Sequence, residues 1–204
     1  MKIPEVTNMD TLFPVILSVP PEKQQLNGRE KVVFLSQYAR IAAERSAEKT
    51  GFRLAEFPKN KKGIPLPFLG YHWSVSHKPE YVAGVVSRKQ IGIDIEKIRP
   101  YSTGLEKKVA DETEWALYPT DRSELLFRYW TAKEAVLKTM GIGLAGLSSC
   151  KIRKNNSKNH MTVQFQDHDY QIEHFAFDNH IAAIVTHDNA RIEWILDIPG
   201  ETAP

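Results

Sequence analysis

The stretch Gln90-Ile91-Gly92-Ile93-Asp94-Ile95-Glu96 decides how this chain is organised. Its isoleucines alternate with glycine and acidic residues, which is the period of a β-strand, whereas a helix would scatter them around its circumference. On a strand the isoleucines share one face, and Asp94 and Glu96 share the other. Two neighbouring carboxylates repel each other unless a cation lies between them. The stretch therefore predicts a strand with one apolar face and one acidic face that attracts a cation.

The overall composition is that of an ordinary globular protein. Of its 204 residues, 42% are hydrophobic and 25% are charged, and the net charge of +2 argues against a nucleic-acid partner. Cys150 is the only cysteine, so an internal disulfide and a thiolate metal cluster are excluded and a reducing compartment is favoured. No apolar run is long enough to cross a membrane, and Met1–Asp10 lacks the apolar core of a signal peptide. We therefore expect a cytoplasmic protein without a membrane partner.

Beyond the opening strand, periodicity predicts a mixture of helices and strands. Apolar residues at helical spacing predict helices over about 29–49, 105–119 and 121–140. Strand-like runs bounded by turn residues occur at about 11–19, 71–77, 81–87, 150–153, 161–165, 171–177, 181–186 and 192–196. Thr120 or Asp121 is expected to cap the last helix, with Glu124 in place for a capping box. Helix followed by strands occurs twice, which suggests two halves, although no sequence repeat accompanies this order.

One face of the helix predicted over about 121–140 carries Trp130, Glu134 and Lys138, which are spaced four residues apart. The ordinary interpretation is an exposed Glu–Lys pair that contributes a few tenths of a kcal/mol. Trp130 argues against it, because an indole is seldom part of a purely solvated face. Glu134 could instead complete an all-oxygen site with Asp94 and Glu96. Three carboxylates without a thiolate favour Mg²⁺ over Zn²⁺, and such sites usually hold substrate phosphates.

These segments together resemble a known enzyme family. Ile91–Lys97, followed about forty residues later by Trp130–Lys138, resembles the paired signature of the 4′-phosphopantetheinyl transferases, in the surfactin-type, monomeric branch. Trp73–His77 is similar to the family's upstream serine–histidine motif, and Asp111–Glu114 to its threonine–glutamate segment. The match runs in order from about Tyr71 to Leu147, over a third of the chain. Three motifs in order make the resemblance specific, whereas any one alone would be weak.

The resemblance implies a role for each matching residue. Asp94, Glu96 and Glu134 would hold Mg²⁺, with Mn²⁺ as an alternative, against the pyrophosphate of coenzyme A. Asp94, Glu134 and Lys138 would be catalytic, with Glu134 as the general base and Lys138 stabilising charge on the transferred phosphoryl group. The residues expected to bind coenzyme A are Ser76, His77, Lys133, Lys138, Lys62, Arg40 and Lys31.

Two positions depart from the family pattern. Ile64 stands where the family often has a phosphate-binding lysine, so Lys61 or Lys62 is the expected substitute. Val32 and Val33 stand about where a hydroxyl residue is often found. Both departures concern the nucleotide end of coenzyme A, whose 3′-phosphate region Ser76 and His77 would contact.

The resemblance also implies a fold, a reaction and a partner. The fold would be α+β with two similar halves, a pseudo-dimer of residues 1–97 and 98–204, each a small, mostly antiparallel sheet packed on a long helix. The active site would lie in the cleft between the halves. The monomer would transfer 4′-phosphopantetheine to a serine of an apo acyl or peptidyl carrier protein, an acidic helical bundle, and release adenosine 3′,5′-bisphosphate. Carrier docking is expected on a surface formed by Tyr101, Leu105, Lys107 and Lys108.

Two rival functions remain on the sequence alone. One is a non-catalytic module that binds coenzyme A or a carrier protein, although the complete acidic set argues against it. The other is a different Mg²⁺-dependent phosphotransferase that uses a nucleoside triphosphate. The glycine pattern at Gly141–Gly146 does not support a dinucleotide site, because a helix precedes it and strands follow. Ser76 and His77 are not a nucleophile–base pair, because neighbours on a strand point to opposite faces.

Overall fold

Helices and sheets alternate in the computed structural model, which describes residues 11–118, 121–187 and 190–197. The α+β class predicted from the sequence is confirmed. The helices are α1 (Pro21–Gln24), α2 (Gly28–Lys49), α3 (Thr103–Val109), α4 (Glu112–Trp115), α5 (Arg122–Met140) and a 3₁₀ helix (Leu144–Ser149). The strands are β1 (Thr11–Leu12), β2 (Val15–Ser18), β3 (His72–His77), β4 (Tyr81–Ser87), β5 (Ile93–Lys97), β6 (Cys150–Asn155), β7 (His160–Phe165), β8 (His168–Phe177), β9 (His180–Thr186), β10 (Arg191–Ile192) and β11 (Ile195–Asp197).

The first sheet has the strand order β11-β2-β4-β3 and packs against α2. Small residues allow the helix to approach closely, since Ala39, Ala42 and Ala43 are fully buried. A side chain at Gly84 of β4 would meet the backbone of Ala43 at 2.3 Å. Glycine at this position is therefore a requirement of the packing of α2 on the sheet.

The second sheet has the order β5-β9-β8-β7-β6, with antiparallel neighbours throughout. Helix α5 covers it, and its predicted apolar stripe is confirmed by the burial of Leu125, Tyr129 and Val136. The helix ends at Gly141, which adopts the left-handed conformation (φ 64°) common at helix C-termini.

The chain passes between the two sheets more than once. Strand β5 pairs with β9 in the second sheet, whereas β11, near the other end of the described chain, pairs with β2 in the first. The three isoleucines of the opening stretch are buried in a core cluster with Ile16 and Tyr81 of the first sheet and Ile184 of the second. The acidic strand therefore lies at the junction of the two sheets.

Several expected elements are divided in the structure. The predicted strand over 11–19 is split into β1 and β2 around Pro14, and the one over 192–196 into β10 and β11. The single helix predicted over 105–119 is two short helices, α3 and α4. Asp121 caps α5, while Thr120 and Met1–Asp10 lie outside the described residues.

A capping box forms at the start of α4. The side chain of Asp111 accepts from the backbone at the start of α4, and Glu114 bonds back to the N–H of Asp111. Within the described ranges, no helix is long and apolar enough to cross a membrane.

Candidate active site

Serine side chains join the edge of the first sheet to the edge of the second. Strand β5 pairs with β9 on one side, and on its other side its N–H groups face β3. The Ile93 N–H donates to Ser74 Oγ (3.1 Å) and the Ile95 N–H to Ser76 Oγ (3.4 Å). Ser76 donates its own proton to Asp94 Oδ1 (2.7 Å). The predicted coenzyme A ligand Ser76 is thus bonded to the predicted metal ligand Asp94.

Lys138 reaches this junction from helix α5. Its Nζ donates to Asp94 Oδ1 (2.8 Å), to the carbonyl of Ile93 (3.0 Å) and to the carbonyl of Val75 (3.3 Å). One ammonium group therefore joins β3, β5 and α5. All three of its N–H donors have acceptors, which orients the group firmly.

Glu96 has a lysine partner of its own. Its Oε1 lies 2.6 Å from Lys78 Nζ, and only 9% of its side chain is exposed. Burial raises the pKa of Glu96, the nearby charge of Asp94 adds to the rise, and Lys78 opposes it. The second oxygens of both carboxylates, Asp94 Oδ2 and Glu96 Oε2, are buried without a hydrogen-bond partner. Such orphaned oxygens are costly unless a cation or donor reaches them.

Glu134 shares the electrostatic environment of these carboxylates. Burial raises its pKa to about 7, and the negative charges of Asp94 and Glu96 contribute to the rise, whereas Lys138 and Lys78 oppose it. A carboxyl group that titrates near neutral pH is suited to accept a proton at neutral pH.

The donor set fits a hard divalent cation, although the acidic groups are not gathered tightly. In the ranges that the structure covers, no three acidic, histidine or cysteine side chains converge closely enough to hold a metal ion as they stand. The two orphaned oxygens are nevertheless hard donors beside a third carboxyl group with a raised pKa. Lysine ammonium groups neutralise Asp94 and Glu96 in this arrangement. A Mg²⁺ ion would replace that positive charge.

Residues 90–185 match the family model described as the 4′-phosphopantetheinyl transferase superfamily. This region is therefore similar to that superfamily. It includes β5 and α5, and so contains all three acidic side chains of the junction.

Curated relatives agree with the surfactin-type branch indicated by the motifs. The chain is 33% identical over 115 residues to the 4′-phosphopantetheinyl transferase psf-1 of Bacillus pumilus, covering 54% of this chain and 49% of the relative. It is 31% identical over 107 residues to the transferase gsp of Aneurinibacillus migulanus, covering 50% and 45%. It is 31% identical over 110 residues to the transferase Sfp of Bacillus subtilis (strain 168), covering 52% and 48%. The matches thus span about half the length of these relatives.

Lys133 points away from the position that the transferase resemblance suggested. It is 1% exposed, and its Nζ lies 2.6 Å from Glu114 Oε1 and donates to the carbonyl of Val109 (2.7 Å). Neighbours on a helix diverge by about 100°, so Lys133 cannot share the direction of Glu134. The expectation that Lys133 faces the phosphates is corrected, because its charge holds α4 against α5.

The other cations expected in a phosphopantetheinyl transferase are dispersed. Lys31 donates to the carbonyl of Gln24 (2.9 Å) near the start of α2, and the Lys62 side chain is exposed. His77 lies closer to the junction. Burial lowers its pKa, and the nearby charges of Lys138 and Lys78 lower it further.

Arg40 instead meets a lysine that the sequence analysis missed. Its guanidinium lies 5.7 Å from the ring centre of Phe57, and its Nε is buried without a hydrogen-bond partner. Burial and the charge of Arg40 lower the pKa of Lys59, whose Nζ lies 5.6 Å from the ring centre of Trp73. A β-bridge between Lys59 and Pro65 folds this basic loop back on itself. The cluster of basic residues in the sequence was the available signal, and the fold-back brings Lys59 of this cluster near Arg40.

Proposed function

We propose that this chain transfers the 4′-phosphopantetheine group of coenzyme A to a serine of an apo acyl or peptidyl carrier protein. The observation that carries the proposal is the junction itself, where Asp94 of the matched region accepts from Lys138 and from Ser76 of the first sheet. Glu134 lies in the electrostatic field of the same groups. An arrangement of buried carboxylates with orphaned oxygens beside lysine ammonium groups suits a metal-dependent transfer of a phosphoryl group.

Each side chain has a distinct part in the proposed reaction. Asp94, Glu96 and Glu134 would hold Mg²⁺, which supplies positive charge to the pyrophosphate when bound. Glu134 accepts the proton of the carrier serine as the general base. The serine oxygen bonds to the phosphorus that carries pantetheine, and the bond from that phosphorus to the bridging oxygen breaks. Adenosine 3′,5′-bisphosphate leaves, and Lys138 stabilises the charge that develops.

We place the nucleotide end of coenzyme A near α2 and the basic loop. Arg40 lies close enough to Lys59 that its charge, together with burial, lowers the pKa of Lys59. Two neighbouring cations attract a phosphate. Both flank aromatic rings, and the Nε of Arg40 is buried without a hydrogen-bond partner. We therefore propose Lys59 in place of the phosphate-binding lysine that the family often has at the position of Ile64. A role of Lys62 or Lys31 in binding coenzyme A has weaker support.

The proposed architecture is a cytoplasmic monomer with two similar halves, residues 1–97 and 98–204, and coenzyme A in the cleft between them. Support comes from the two sheets, each packed on one long helix, with the acidic strand at their junction. The carrier would dock on the surface formed by Tyr101, Leu105, Lys107 and Lys108. Lys108 Nζ lies 5.7 Å from the ring centre of Trp130, which connects this surface to the helix face that carries Glu134.

The test is a transfer assay read by mass spectrometry. The protein is incubated with an apo carrier protein, coenzyme A and Mg²⁺, and the carrier should gain the mass of one phosphopantetheine group. Asp94→Ala and Glu134→Ala should abolish the adduct while the variants stay folded. Asp167→Ala, in an exposed turn between β7 and β8, is the matched control and should keep full activity.

The rival functions give different results in the same assay. Binding of coenzyme A or carrier without an adduct, for several acyl and peptidyl carriers, would identify a non-catalytic module. Consumption of a nucleoside triphosphate in place of coenzyme A would identify another phosphotransferase.

A further inference from the structure

The turn between β3 and β4 is tied to the end of β5 by two crossed ion pairs. Lys78 Nζ lies 2.6 Å from Glu96 Oε1, and Lys97 Nζ lies 2.5 Å from Glu80 Oε1. The turn is short and well fixed, because the Lys78 N–H donates to the carbonyl of Tyr81 (2.7 Å). Because the backbone of this turn is fixed, Lys78 can move only through its side chain.

The ammonium group of Lys78 lies among the acidic residues of the junction. It is paired with Glu96, and its charge opposes the rise in the pKa of Glu134 and adds to the lowering of the pKa of His77. The other oxygen of Glu96 is buried and has no hydrogen-bond partner. Lys78 therefore supplies positive charge where a metal ion held by Glu96 would supply its own.

Lys78 and Lys138 are held very differently. Lys138 donates to two backbone carbonyls and to Asp94, so moving it would leave three acceptors without a donor. Among the residues that the structure covers, Glu96 is the recorded partner of the Lys78 ammonium, and 29% of the Lys78 side chain is exposed. A compact ammonium on a flexible four-carbon stem can exchange one anion for another at low cost.

We propose that Lys78 is a positioning residue that neutralises Glu96 before substrate binds and then turns to the coenzyme A phosphates, which releases Glu96 to the metal ion. The inference rests on the proposed function, since it takes coenzyme A and Mg²⁺ as ligands. It has a thermodynamic consequence: each ligand should strengthen the binding of the other, because the phosphates remove the lysine that competes with Mg²⁺.

The experiment measures Mg²⁺ affinity by isothermal titration calorimetry with and without saturating coenzyme A, in the absence of any carrier protein. The ratio of the two affinities is the coupling factor. In Lys78→Met, Mg²⁺ alone should bind more tightly than in the unsubstituted protein, and the coupling factor should fall by roughly tenfold, within the usual range of such couplings. Lys78→Arg keeps a positive charge at the same position and should keep most of the coupling.

The matched control is Lys97→Met, which breaks the neighbouring ion pair with Glu80 and leaves Lys78 in place. It should keep the coupling factor. Circular dichroism melts of all three variants show whether each is folded under the titration conditions.

Three results would overturn the inference. If Lys78→Met tightens Mg²⁺ binding equally with and without coenzyme A, Lys78 acts only through its fixed charge and does not move. If Lys78→Met weakens Mg²⁺ binding, Lys78 does not compete with the metal. If Lys97→Met lowers the coupling factor as much as Lys78→Met, the turn acts as a whole. Failure of the unsubstituted protein to bind coenzyme A and Mg²⁺ would instead remove the proposed function, and this inference with it.

Discussion

Replacing Gly92 with alanine should separate the acidic strand from the helix that carries Glu134 and Lys138. A side-chain carbon at this position would lie 2.0 Å from the carbonyl oxygen of Ala135, and 2.6 and 2.8 Å from Oγ1 and the backbone nitrogen of Thr139. Ordinary contact begins at 3.4 Å, so α5 must withdraw from β5 by about 1.4 Å. The neighbouring atoms are mostly backbone, and a rotamer change cannot relieve them.

The expected cost has two parts. Forcing an extra carbon into a packed contact lowers the free energy of unfolding by about 1–3 kcal/mol. The larger effect is on the reaction, because Glu134 and Lys138 move with the helix while Asp94 stays on the strand. A displacement of about 1 Å in a catalytic group can reduce the rate by about 10²-fold. Gly92→Ala should therefore lose far more activity than its loss of stability explains.

The assay combines urea unfolding with transfer rates per folded molecule. Gly84→Ala is the matched control, because its side chain would meet Ala43 of α2 at 2.3 Å, on the first sheet and away from α5. It should lower stability to a similar extent and leave the transfer rate at saturating coenzyme A within a few-fold. Gly104→Ala, whose side chain meets Ser102 Oγ at 3.7 Å, should change neither. Equal loss of activity per folded molecule in Gly84→Ala and Gly92→Ala would refute this reasoning.

Three further predictions concern buried ionisable groups. Lys133→Met leaves the buried carboxylate of Glu114 with the more distant and more exposed Lys151 (3.7 Å) as its remaining cation, and should lower the free energy of unfolding in urea by about 3 kcal/mol. Adding Glu114→Gln should recover part of this loss, and a double variant that costs the sum would contradict coupling. Because the pKa of Glu134 is raised to about 7, the folded protein binds more protons than the unfolded chain between about pH 4.5 and 7. The stability of metal-free protein should therefore fall by up to about 3 kcal/mol as the pH rises through this window, and Glu134→Gln should remove the fall. Burial lowers the pKa of His174 to about 3, so the unfolded chain takes up the proton first and stability should decline by up to about 5 kcal/mol as the pH falls from about 6.5 to 3. His174→Gln should flatten that decline, and an unchanged acid limb would count against it.

Local periodicity was enough to place the acidic strand and the helix α5. The alternation in Ile91–Glu96 depends only on the two-residue period of a strand, and the burial of the three isoleucines follows from it. Helical periodicity alone also predicts that Lys133 does not face the phosphates, because it adjoins Glu134 on the helix and must point in another direction.

The parts that sequence reasoning missed depend on contacts between distant segments. We propose Lys59 rather than Lys62 because a β-bridge joins Lys59 to Pro65, which local periodicity does not predict. The split of the predicted strand over 192–196 arises because its two pieces join different sheets, β10 with β1 and β11 with β2. Periodicity within a segment says which face is buried but does not name the neighbouring strand.

The junction of β3 and β5 explains why buried carboxylates are tolerated here. A backbone ladder between the two strands would satisfy their edges by itself and would leave no donor for the acidic side chains. Serine hydroxyls accept from the β5 edge instead, and Ser76 has a proton left to donate to Asp94. Lys138 then donates to one backbone carbonyl on each strand, those of Val75 and Ile93, and to the carboxylate of Asp94. Side chains thus replace a backbone ladder at this edge, and the buried carboxylate of Asp94 gains its hydrogen-bond donors from them.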